Sequence, residues 1–211
     1  HIAKDQLPEN YKKRLNNYTY GPGVFKIDYA LSEAIPWKDK KCIEAGTIHL
    51  GGTIEEIAQS EQDAWSGKHS DKPYVLLAQQ SLFDDTRAPK GRHTCWAYCH
   101  VPFGSEKDMS SIIENQIEHY APGFKDIILA KSSMNTKDFY NYNSNYLGGV
   151  IAGGSADITQ LFTRPIVKLD PYSTPNPQIF ICSASTPPGG GVHGMGGYYA
   201  AKSVFKKLNK S

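Results

Sequence analysis

The stretch from residue 179 to 205 constrains the fold of this chain more than any other. An apolar run, Ile179 to Cys182, enters a loop holding Pro187, Pro188, Gly189, Gly190 and Gly191, then Gly194, Gly196 and Gly197. Beyond it Tyr198, Ala201, Phe205 and Leu208 recur at spacings of three and four, which places them on one helix face. The order predicts strand, glycine loop, helix. At such a junction the first helical N–H groups point outward, and glycine lets a ligand approach the backbone closely. Lys202, Lys206, Lys207 and Lys210 lie toward the other end, where they complement the helix dipole. Ordering so many glycines costs backbone entropy, so something should require it. Two requirements fit: a tight strand-to-helix connection, or a ligand cradle. No Lys-Ser or Lys-Thr follows the glycines, and no Gly-x-Gly-x-x-Gly begins here with an acidic residue about twenty positions on. These absences argue against a phosphate-cradling nucleoside triphosphatase.

The rest of the chain mixes strands and helices without regular βαβ alternation. Val24 to Leu31 alternates, with Phe25, Ile27, Tyr29 and Leu31 on one face and Lys26 and Asp28 on the other, as in a half-buried strand. Thr47–Leu50, Tyr74–Gln80, His93–Val101 and Ile127–Ala130 read as further strands. Leu7 to Asn17 reads as a short polar helix. Thr53-x-x-Glu56 is a capping box opening a helix to Trp65, with Ile54, Ile57, Ala58 and Ala64 inward. Asp108 caps a helix to Tyr120 with the stripe Met109, Ile112, Ile113, Ile117 and Tyr120. Thr136 begins a short helix, and Ser155 caps another through Phe162. The pattern predicts an α+β fold with a mixed or antiparallel sheet. The proline-bearing segment 170–178 is the best boundary, giving 1–170 as one domain and 171–211 as a strand–loop–helix piece of another.

Net charge of +2 over 211 residues, with 21% charged and 39% hydrophobic residues, gives no electrostatic reason to expect nucleic acid. No apolar run approaches the roughly twenty residues of a spanning helix, and no signal peptide is recognisable. Cys42, Cys95, Cys99 and Cys182 form no Cys-x-x-Cys pair, and no His cluster has zinc spacing, so no metal site is expected. Cys95 and Cys99 on one strand would be roughly 13 Å apart, too far for a disulfide. Buried free thiols in a reducing cytoplasm are the expected state.

The segment Ser183-Ala-Ser-Thr-Pro-Pro-Gly-Gly-Gly-Val-His-Gly-Met-Gly-Gly-Tyr198 resembles the C-terminal flavin-binding signature of phytoene dehydrogenase-like FAD-dependent oxidoreductases. That group is related to the carotenoid desaturases and, more distantly, the amine oxidases. Gly21–Leu31, His49–Thr53, Cys95–Pro102, Tyr120–Phe124 and Gly148–Gly154 resemble family segments in family order. The family opens with a strand–Gly-x-Gly-x-x-Gly–helix unit for the ADP half of FAD, and this sequence contains none. The resemblance therefore implies the C-terminal portion of a larger enzyme. Residues 1–170 would be most of a substrate domain, and 171–211 the closing strand and helix of a doubly wound FAD domain. A hydride would move from an apolar substrate to the flavin. The alternative is a non-catalytic binding module with an apolar cavity that cannot hold FAD alone.

The resemblance implies cofactor contacts at Ser185, Thr186, Pro188, Gly189, Gly190, Gly191, Val192, His193, Gly194, Met195 and Gly196. The Met195 N–H would lie nearest the ring edge. His193 reads either as an acid–base group or as a loop histidine bonded to backbone. Gly148, Gly149, Ile151, Gly153 and Gly154 are candidate substrate contacts, or else a bulge or turn. Tyr140, Tyr142 and Tyr146 would line a tunnel or a core edge. Trp96, Tyr98 and His100 would face a substrate cavity or the core. Arg92 and Arg164 read as anion contacts or as solvated surface. An uncovered sheet edge and helix face would promote self-association. Contact with a membrane surface is compatible with a lipid-like substrate, although no amphipathic basic helix compels it.

Overall fold

A computed structural model describes residues 3–209 of the chain; Lys210, expected near the end of the last helix, lies outside the described residues. Contacts divide the chain into two compact units, Pro22–Gly149 and His1–Gly21 with Val150–Ser211. The segment 170–178 lies inside the second unit.

The first unit is built on a five-stranded antiparallel sheet in the order β2-β3-β4-β1-β5. The strands are β1 (Gly23–Leu31), β2 (Ile48–Leu50), β3 (Val75–Ala78), β4 (His93–Val101) and β5 (Ile128–Met134). β1 and β4 pair along their whole length, from Gly23 opposite Val101 to Leu31 opposite His93. In both, odd-numbered residues other than His93 are buried while most even-numbered ones reach solvent. The register stacks Phe25, Ile27, Tyr29 and Leu31 beside Cys99, Ala97, Cys95 and His93. Helix α3 (Ser110–Tyr120) contacts β2 and β4, and its Met109-flanked stripe with Ile113 and Ile117 joins that core. Burying each such side chain contributes about 1.5–3 kcal/mol. Met109, not the expected Asp108, stands at the N-cap of α3; Asp108, one position earlier, accepts the Ser110 N–H at 2.8 Å through Oδ1.

Two elements depart from their sequence pattern. β5 runs on to Met134 through Lys131, Ser132 and Ser133, which carry no apolar period. Its pairing with β1 supplies what propensity lacks, and its exposed polar side chains suit an edge. Helix α2 (Ile54–Trp65) has the predicted capping box, but its buried residues are Ser60 and Ala64, whereas Ile54 is 71% exposed and Ala58 is also exposed. Polar contacts set that rotation. Ser60 Oγ accepts the Tyr74 N–H at 2.9 Å, and Glu61 Oε2 meets His100 Nδ1 at 2.6 Å. Helix α4 (Thr136–Tyr142) starts where expected, with Asn135 accepting from Lys137 and Asp138.

The second unit holds α1 (Glu9–Asn16), α5 (Ile158–Leu161) and α6 (Met195–Leu208). Asp157, not Ser155, caps α5: its Oδ1 accepts from the backbone N–H of Thr159 and Gln160, and Ser155 Oγ donates to its carboxylate. The expected strand at 179–182 is reduced to one bridge, Phe180 opposite Ser173. A strand needs a ladder, and the described residues offer Ile179–Cys182 no longer partner. The α6 stripe is also turned: Ala200 and Ser203 are buried, while Tyr198, Phe205 and Leu208 are 54%, 63% and 62% exposed. Ser203 Oγ donates to Asp170, which holds that face down.

Candidate functional site

The glycine loop and the start of α6 form a shallow concavity of about 210 Å³, lined by Cys182 to Ala184, Gly189, Gly191 and His193 to Gly197. Local chemistry shapes it. Thr186 is fully buried, and both its N–H and its hydroxyl donate to Ser183 O, at 3.0 and 2.7 Å. Gly189 N–H donates to Thr186 O at 2.9 Å, and the Tyr172 hydroxyl donates to Pro187 O at 2.8 Å. Pro188 and Val192 do not line it and are exposed, Val192 fully. Gly190 is exposed as well. Gly194 caps α6 with φ 65° and faces open space, where a β-carbon would strain the backbone without filling anything.

The first donors of α6 are not equivalent. His193 Nδ1 accepts the Met195 N–H at 3.0 Å, so the histidine acts as a local cap. Gly196 and Gly197 N–H groups have no acceptor among the described residues. These two, rather than Met195, are the donors presented at the concavity. With the positive end of the helix dipole they suit an electron-rich ring edge or an oxyanion. The volume suits one edge of a ring system and is below the roughly 300–1,000 Å³ of a complete ligand pocket. The residues therefore fit part of a flavin.

Beneath the loop lies a buried cluster that the sequence reading largely missed. Arg164, read as anion contact or solvated surface, is 2% exposed. Its Nε and one terminal nitrogen approach the Tyr18 hydroxyl at 3.3 and 3.1 Å; that nitrogen also donates to Gly154 O at 3.2 Å. The other terminal nitrogen packs under Gly189, where a β-carbon would lie 2.4 Å away. Gly153 O accepts from Tyr18 and from Ser185, both at 2.7 Å. Tyr18, Arg164 and Ser185 thus lock 153–155 to the loop. Arg92, by contrast, is exposed.

The substrate candidates fall in different places. Gly148 and Gly149 belong to the first unit, where added β-carbons would meet the Phe103 ring at 2.2 Å and Thr136 at 2.6 Å. Close packing accounts for both. Ile151, Gly153 and Gly154 belong to the second unit, Ile151 being 41% exposed. Tyr140 and Tyr142 are exposed, and Tyr146 stacks edge-on against Phe139 at 5.9 Å. Trp96 and Tyr98 stack at 6.1 Å on the sheet face away from α3, half-buried, with His100 beside them. Burial pushes the Cys99 thiol up to about 12, Glu61 adding to it, and pushes Cys95 up further, Asp28 adding to it. Both are inert thiols inside the core. Among the described residues no cluster of three or more His, Cys, Asp or Glu could hold a metal, and no helix is long and apolar enough to cross a membrane.

No protein-family profile matches the chain. It is 32% identical to mouse pyridine nucleotide-disulfide oxidoreductase domain-containing protein 2 over a 228-residue alignment covering 97% of the chain, and 27% identical to the rat protein of that name over the same share. The chain spans about two fifths of the length of these curated relatives, 39% in each case. Their name is that of a pyridine nucleotide-disulfide oxidoreductase domain, not of the phytoene dehydrogenases that the glycine signature resembles.

Proposed function

We propose that this chain is the cofactor-closing and substrate-side portion of an FAD-dependent oxidoreductase acting on an apolar substrate. The observation that carries the reading is the glycine loop opening onto α6, with the Gly196 and Gly197 N–H groups unclaimed. The similarity to the mouse and rat oxidoreductase-domain proteins supports it. When bound, FAD would supply a two-electron hydride acceptor.

The chain's own residues would bind and orient. Gly189 to Gly191 let a ribityl chain or ring edge approach the backbone. Gly196 and Gly197 N–H groups would stabilise charge developing at the ring's pyrimidine side, an electrostatic role that costs no reorganisation. Thr186 and Ser185 hold the loop in shape, and His193 keeps the Met195 N–H satisfied. An apolar substrate needs no protein base for hydride removal, which agrees with a site holding no acid–base pair besides His193. Desaturase-type chemistry, of the phytoene dehydrogenase kind, fits this arrangement. The free thiols suit a reducing, cytoplasmic compartment.

A second reading, a binding module that does not hold FAD by itself, is favoured by the small volume of the concavity. Flavin absorbance and fluorescence titration separates the two. It would be run on this chain and on the chain joined to an upstream strand–Gly-x-Gly-x-x-Gly–helix unit. Binding by the extended form, weakened at least tenfold by Gly196→Pro, is the expected result. Binding by neither form would remove the flavin reading.

A further inference from the structure

The buried guanidinium of Arg164 has no anionic partner. No Asp or Glu among the described residues forms an ion pair with it, and the acceptors it does have, Tyr18 hydroxyl and the carbonyls of Gly154 and Ser155, are neutral. Of the two carboxylates nearest in sequence, Asp170 accepts from the Ser203 hydroxyl and Asp157 is committed to the α5 cap. A buried charge without a counter-charge is costly, and removing it from water is tolerated only where something else uses it. Here the charge lies directly under Gly189, whose missing side chain leaves only backbone between the guanidinium and the loop. The loop's outer surface therefore carries a fixed positive potential. It adds to that of the α6 N-terminus, which the Gly196 and Gly197 N–H groups present to the same concavity.

We propose that Arg164 is an electrostatic positioning residue of the glycine loop, and that its uncompensated charge favours an anionic occupant, namely the reduced flavin ring. The proposal rests on the flavin reading. Two-electron reduction with uptake of one proton leaves the ring with one negative charge. A positive charge beneath the loop stabilises that product over the neutral oxidised ring. It raises the reduction potential without touching the substrate. Through the carbonyls of 154 and 155 the same side chain also holds the loop in register, so its two roles must be read separately.

The midpoint potential of bound flavin separates them. In a flavin-binding form of the protein, Arg164→Met is expected to weaken binding of reduced relative to oxidised flavin about tenfold, lowering the potential by about 30 mV for a two-electron couple. Arg164→Lys keeps the charge and should retain most of the wild-type potential despite losing the guanidinium fork. Tyr18→Phe removes a clamp bond but not the charge, and should lower the melting temperature with the potential unchanged. Should Arg164→Met not fold, Tyr18→Glu sets a carboxylate against the guanidinium and should lower the potential likewise. A wild-type potential in the charge-neutralised variant overturns the role given to Arg164 while leaving flavin binding intact. A wild-type protein that binds no flavin overturns both.

Discussion

Asp157 shows how a single side chain ties local geometry to pH. Hydrogen bonds from the Ser155 and Thr159 hydroxyls, with the Gln160 N–H behind them, lower its carboxyl from an ordinary 3.8 to about 2. A depressed folded-state value means the group stabilises the fold above its unfolded value, and that contribution is lost as pH falls through the folded one. Thermal midpoints should therefore drop between about pH 4 and pH 2, and Asp157→Ala should flatten that limb. An unchanged acid limb in the variant would show that the cap contributes nothing. Thiol reactivity gives a second residue-scale expectation. Cys182 is exposed and should react promptly with a thiol reagent at pH 8, whereas Cys95 and Cys99 should react only on unfolding. Prompt labelling of all four would contradict the buried placement of β4.

Among the elements, α2 and β1 were legible for different reasons. The Thr53–Glu56 box is a four-residue signal, and both of its hydrogen bonds form, at 2.8 and 3.3 Å. Thr53→Ala should cost about 1 kcal/mol in denaturant unfolding, with the slope unchanged. β1 alternates because one face lies on the core, and its central Ile27 is fully buried. Ile27→Ala should cost about 2–5 kcal/mol by the same measurement. What alternation did not reveal was which apolar helix face is covered. The stripes of α2 and α6 both turn, because Ser60, Glu61 and Ser203 make hydrogen bonds that apolar spacing does not register. The strand at 179–182 was legible as an apolar run, yet pairing is a property of two segments and not of one.

At the scale of the whole molecule, the second unit exposes Phe205 and Leu208 on α6, with Leu169, Phe162 and Val192 fully or largely exposed nearby in sequence or on its loops. Apolar surface of that kind favours association. Sedimentation velocity across a concentration series should show self-association, weakened by Phe205→Glu. A single monomeric species at all concentrations would remove that expectation. Gly148 adds a packing test within the sheet unit. Its φ of 62° and the Phe103 ring beside it leave no room for a β-carbon, so Gly148→Ala should destabilise the fold whether or not a substrate is present.

Periodicity, capping residues and the glycine signature by themselves determined the α+β class, the starts of α2 and α4 and the loop that carries the functional reading. Each is a local property, set by a few dihedrals or a spacing of two to four residues. The burial of Arg164 was beyond that reach. A guanidinium 146 positions from its Tyr18 partner becomes a site only when the chain brings the two together and lays Gly189 over the guanidinium. The same is true of the donors presented by α6: the side chain of His193 claims one N–H and leaves the next two, a choice made by tertiary geometry after the helix has formed.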